Sequence, residues 1–187
     1  TEAEAGAEFA RDPLLLRAGY TGSFFHNDFT SVVFDNPFRA IDSASASSRG
    51  RLTLAPTNSY NGVNGLASVK LPRRSRASAF VSVGRLTDAG DPIVPQTINS
   101  ALSPAPLART TVNGEARTTA VRLTLVSRPT RYLDFTAGYR QYNFDNRTPE
   151  FAMTQRVSYD NTVSAVASPV HTEPFGVLRH TVDADLK

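Results

Sequence analysis

Along most of the chain, apolar and polar residues alternate one by one, and a period of two marks a strand with two unlike faces. Leu14, Leu16, Ala18, Tyr20, Gly22 and Phe24 fall on one side, against Arg17, Gly19, Thr21 and Ser23. Gly65, Ala67, Val69 and Leu71 oppose Asn64, Ser68 and Lys70, with Leu66 out of step. Ala77, Ala79, Val81 and Val83 oppose Arg76, Ser78, Phe80, Ser82 and Gly84. Thr119, Val121, Leu123 and Leu125 oppose Thr118, Ala120, Arg122 and Thr124, and Leu133, Phe135, Ala137 and Tyr139 oppose Asp134, Thr136, Gly138 and Arg140. The stretch from Phe175 to Lys187 alternates less cleanly and reads as a last strand. No segment carries a helical stripe, and the glycine and β-branched content works against helix. The pattern predicts six antiparallel strands, with residues 1–13 a turn or tail and 14–187 the strands and loops.

Prolines punctuate these strands. Asp12-Pro13, Leu71-Pro72 and Arg128-Pro129 mark short turns, two of them rich in arginine. Interleaved with them, Asp35-Asn36-Pro37, Asp91-Pro92 and Asp145-Asn146-Arg147-Thr148-Pro149 each open a long polar stretch. Short turns on one side and long loops on the other suit an up-and-down transmembrane β-barrel better than a soluble sandwich, whose hairpins are more evenly spaced. The barrel also explains one face of small and β-branched residues and another holding Arg17, Lys70, Arg76, Arg122 and Arg140, with Asp134 as its main acid. A soluble core would not take those charges, while a filled lumen would. Tyr20, Phe24, Tyr132, Phe135 and Tyr139 lie towards strand ends, where an interfacial girdle belongs. Loop length then puts about 38–57, 88–112 and 146–174 outside the cell and 72–75 and 129–131 in the periplasm.

Composition narrows the chemistry. The 187 residues carry 20 Lys+Arg against 17 Asp+Glu, a net charge of +3 that is too small to imply nucleic acid. With no cysteine, disulfides, thiolate zinc sites, a thiol nucleophile and covalent haem attachment are all excluded for these residues. No apolar run is long enough for a membrane-crossing helix. Thr1-Glu2-Ala3-Glu4 does not read as a signal peptide, so the chain is taken to start at a mature terminus or in mid-protein.

Candidate sites are sparse. His26, His171 and His180 are far apart, and His26-Asn27-Asp28 reads as a solvated rim. The Asp-Asn-Pro and Asp-Asn-Arg-Thr-Pro elements offer carboxylate and amide oxygens of the kind calcium uses, but Asp and Asn before proline are also ordinary turn formers. Asn146-Arg147-Thr148 fits a glycosylation sequon, which means little in a bacterial barrel. Nothing resembles a nucleophile elbow, so no catalytic, metal or cofactor residues are assigned and no enzyme is expected. The glycine pairs Gly19/Gly22 and Gly62/Gly65 lie in strands and ease curvature or close packing.

The run Leu16-Arg17-Ala18-Gly19-Tyr20-Thr21-Gly22-Ser23-Phe24-Phe25, followed by Phe34-Asp35-Asn36-Pro37-Phe38, resembles the MtrB/PioB family of decahaem-associated outer-membrane barrels. Leu54-Ala55-Pro56-Thr57-Asn58 and Tyr139-Arg140-Gln141-Tyr142-Asn143-Phe144-Asp145-Asn146-Arg147-Thr148-Pro149 add to the likeness, which runs from about Leu14 to Leu186. The family chains are several times longer, and some carry an N-terminal Cys-x-x-Cys that is missing here, so this sequence resembles an internal fragment. The resemblance implies a sheath in the bacterial outer membrane, surrounded by lipid. Such a sheath holds a periplasmic multihaem c-type cytochrome, with an extracellular cytochrome as a further partner. Haem would be carried by the cytochrome, and Arg17, Lys70, Arg76, Arg122 and Arg140 would be lumen-facing contacts to it. The alternatives are a general porin or solute channel, and an outer-membrane enzyme or adhesin.

Overall fold

The structure, a computed structural model, describes residues 1–94, 97–103, 107–158 and 162–187, and of 154–158 and 162–168 only the backbone. The parts of the expected long loops that fall on 95–96, 104–106 and 159–161 lie outside the described residues. All the regular structure among the described residues is strand. A seven-stranded antiparallel meander contains β1 (Glu2–Arg11), β2 (Leu14–Phe25), β5 (Asn58–Leu71), β6 (Ser75–Asp88), β7 (Glu115–Thr130), β8 (Leu133–Asn146) and β11 (Val177–Leu186), in that order. Two separate hairpins, β3 (Ser31–Asp35) with β4 (Arg49–Thr53) and β9 (Ala152–Ser158) with β10 (Thr162–His171), stand within the connections.

Two expectations are corrected. The sheet has seven strands rather than about six, because residues 2–11 form β1 instead of a turn or tail. There Glu2, Glu4 and Glu8 alternate with Ala3, Ala5, Ala7 and Phe9, a period of two hidden by residue types that favour strands weakly. The segments read as long loops also contain strands, β4 in the first and β9 and β10 in the third. The division into short and long connections holds: 12–13, 72–74 and 131–132 turn at one end of the sheet, and 26–57, 89–114 and 147–176 connect at the other.

Strand register assigns the faces. Phe9, Leu16, Ala67, Ala79, Leu123, Tyr139 and Val182 form one row on the apolar face. Nothing among the described residues covers this face. Ala116 is the only buried apolar side chain among the described residues, while Val182 and Leu186 are 78% and 67% exposed. So much unburied apolar surface would not offset the entropy of ordering the chain in water, and it requires a lipid-like medium.

The apolar band crosses the rows obliquely. Ala3 and Gly22 share a row with Asn61, Arg85, Arg117 and Asp145, so one level is apolar at β1 and charged at β7. Two tyrosines mark the boundary. The Tyr20 hydroxyl donates to Asn61 Oδ1 (2.6 Å), and the Tyr139 hydroxyl lies 2.9 Å from His180 Nδ1 and 3.3 Å from Gln141 Oε1. Tyr20 is level with Val63, Val83, Thr119 and Asn143, whereas Tyr139 is level with Leu123, Ala79, Ala67 and Leu16, two rows lower. That fall of four residues, about 14 Å, occurs over four strand spacings, about 19 Å, so strands tilt by about 35° from the normal of the band. Barrel strands tilt by about 35–45° to the membrane normal.

Candidate functional site: the polar face of the sheet

The opposite face carries the charge. Arg17, Leu66, Phe80, Arg122, Arg140 and Thr181 form a continuous row, and Lys70 and Arg76 pair nearer the turns. The five cations singled out from the alternation therefore share one face. Three of them meet acids close by. Arg17 pairs with Glu8 on β1, Lys70 with Asp12 (2.5 Å) and Arg140 with Asp183 (3.2 Å), while Asp134 is held by Arg128 at 2.7 Å. All these side chains are more than a third exposed, so in water each pair would contribute little. Arg76 and Arg122 have no acidic partner among the described residues.

Sequence reasoning missed Arg179, which lies on this face opposite Tyr142. Leu178, Val182, Ala184 and Leu186 alternate with Arg179, Thr181, Asp183 and Asp185, but His180 interrupts the apolar series and blurs it. It also missed the acids Glu2, Glu4 and Glu8 with β1. The polar face thus has an acidic margin at β1 and a margin at β7–β11 where Arg122, Arg140 and Arg179 outnumber Asp183 and Asp185. Between them one row is built of small side chains, Gly19, Asn64, Ser82 and Ala120, beside the row that holds Leu66 and Phe80. Gly138 serves the basic margin directly. It faces Asp183 across β8 and β11, and a Cβ there would collide with the Asp183 carboxylate that reaches Arg140.

At the long-loop end the connections are tied together. Asp42 in the first accepts from the backbone and hydroxyl of Ser48 (both 2.7 Å) and from those of Ser100 in the second (2.8 and 2.5 Å). These donors, the Ser100 hydroxyl foremost, hold the Asp42 carboxyl well below the usual carboxylate range. Asp91 accepts from the Thr57 backbone (2.7 Å), and the Arg109 guanidinium of the second connection lies 5.3 Å over the Phe151 ring of the third. Of the oxygens considered for calcium, those of the Asn36 and Asn146 amides accept the backbone N–H of Phe38 and Thr148, as turn residues do. His26 contacts Asp28 at 2.9 Å in an exposed position.

A family model described as outer membrane beta-barrel porin, MtrB/PioB, matches residues 1–184. No curated protein matches the chain.

Proposed function

Because the chain belongs to the MtrB/PioB family of outer-membrane β-barrel porins, we propose that it forms part of a sheath holding a multihaem c-type cytochrome across the bacterial outer membrane. In this reading the apolar face is the lipid side and the polar face the lumen, and the family is one of porins rather than enzymes. The observation that carries the sheath reading is the sidedness of charge. Arg17, Lys70, Arg76, Arg122 and Arg140 all share the face read as the lumen. Haem propionates and surface carboxylates of a cytochrome would supply the anions such a wall seeks, and the haem stays on that partner. In this reading the tied connections 26–57, 89–114 and 147–176 lie outside the cell, where an extracellular cytochrome meets them, and the short turns face the periplasm.

Covalently bound haem measured in the barrel purified from the outer membrane tests the proposal. Stoichiometric haem supports the sheath. A haem-free barrel that conducts ions freely in a planar bilayer supports the general porin instead.

A further inference from the structure

Three arginines converge on the lumen face where β7, β8 and β11 adjoin. Arg122 and Arg140 are direct cross-strand partners, which sets their Cβ atoms about 5 Å apart. Arg179 is diagonal to Arg140, one row nearer the loops. Like charges placed directly opposite destabilise a sheet unless an anion joins them. One carboxylate answers, Asp183 on Arg140. Arg122 and Arg179 are exposed and have no acidic partner among the described residues. With Phe80, Tyr142 and Thr181, the three arginines line a recess of about 310 Å³.

We propose that this recess seats a carboxylate borne by the protein that the barrel encloses. The proposal deepens the sheath reading and rests on it. Guanidinium groups match a carboxylate in planar, two-point hydrogen bonds, and two of the three are free to make them. Phe80 and Tyr142 add apolar surface that a folded partner can use and a small hydrated anion cannot. The charge layout fixes the partner further. Glu2 and Glu4 at the far margin have no basic partner among the described residues, so the surface that fits is acidic over Arg122 and Arg179 and basic over β1.

The test uses the native complex from the outer membrane. Arginine modification with phenylglyoxal, read by mass spectrometry, should spare Arg122 and Arg179 while the haem protein is bound. It should label both after the partner is stripped with about 1 M salt. The double variant Arg122→Gln/Arg179→Gln should insert normally but retain the haem protein about tenfold less well. Arg128→Gln, near the turn end of β7 and outside the recess, should match the wild type. Equal retention by the double variant at every ionic strength, or both arginines labelled in the intact complex, overturns this inference and leaves the sheath standing. Citrate alone protecting them in the emptied barrel as fully as the partner does would make this a small-anion site and also overturn it. A wild-type barrel without any haem protein removes the sheath reading and this assignment with it.

Discussion

If the strands are tilted to the apolar band, the cost of an intramembrane charge must change steadily along a single register row. The row Ala7, Ala18, Gly65, Val81, Val121 and Gln141 runs from β1 to β8 on the lipid face. Each step to the next strand moves about 4.8 Å sideways, and at a tilt of about 35° about 2.8 Å of that is depth. Five steps amount to about 14 Å, against about 12 Å for half the apolar band of an outer-membrane barrel. Ala7 lies near the middle of its strand's apolar stretch, so Gln141 falls at the interface. Arginine at Ala7 or Ala18 should therefore cost about 2–4 kcal/mol and at Gln141 about 0–1 kcal/mol, with Val81 and Val121 between. Urea titration of the whole barrel folding into phospholipid vesicles, followed by mobility of unheated samples on SDS gels, gives these energies. Equal penalties along the row would mean that rows lie parallel to the membrane, and a larger penalty at Gln141 than at Ala7 would reverse the tilt.

Three other outcomes follow from single positions. Arg74 has a left-handed backbone (φ 55°) in the β5–β6 turn. Arg74→Gly should raise stability by about 1 kcal/mol in the same titration. Asp42→Ala should speed cleavage of 26–57 and 89–114 by protease added to whole cells at neutral pH. Because the Asp42 pKa is lowered on folding, its contribution is complete above its unfolded value, near 3.9, and is lost as pH falls through the lower folded value. Hydrogen exchange of the two loops should accordingly show the link unchanged from about pH 8 to 5 and weakened only below about pH 4. Gly138→Val should push the Asp183 carboxylate off Arg140, making Arg140 more reactive to phenylglyoxal in the emptied barrel without altering Arg117.

Faces were legible in the sequence and partners were not. Alternation around Arg122 or Lys70 fixes which side of a strand each occupies, because successive side chains point to opposite faces. Which residue sits opposite depends on register, and register is a relation between strands. Arg17 looked like a free lumen cation because its partner Glu8 lies on β1, which a run of glutamate and alanine concealed. The oblique boundary was hidden for the same reason: Tyr20 and Tyr139 each looked like girdle residues, and only the ladder shows them two rows apart. In the first long connection, Val32, Val33 and Phe34 carried a strand signal, but the turn residues Asn36-Pro37 masked the hairpin they form with β4.

The seventh strand changes how the barrel must close. Strands alternate in direction along the meander, so β1 and β11, the first and seventh, both run from the long-loop end to the short-turn end. Joined directly, they would pair in parallel. Six strands would have left antiparallel edges, so the correction matters. A second copy related by an axis along the barrel brings β11 of one against β1 of the next in the same direction, so self-association does not cure it. An axis across the barrel would send the long loops of the two copies to opposite sides of the membrane. An all-antiparallel barrel therefore needs an odd number of further strands between β11 and β1, each edge meeting a strand that runs from turn end to loop end. The sequence contains no cysteine, so introduced pairs can test this within it. Ala5→Cys with Val182→Cys should not form a disulfide in the intact barrel, whereas pairs placed across the β1–β2 ladder, such as Ala7→Cys with Ala18→Cys, should. An efficient β1–β11 crosslink in a monomeric barrel would show that the seven strands close on themselves, and would sink the parity argument.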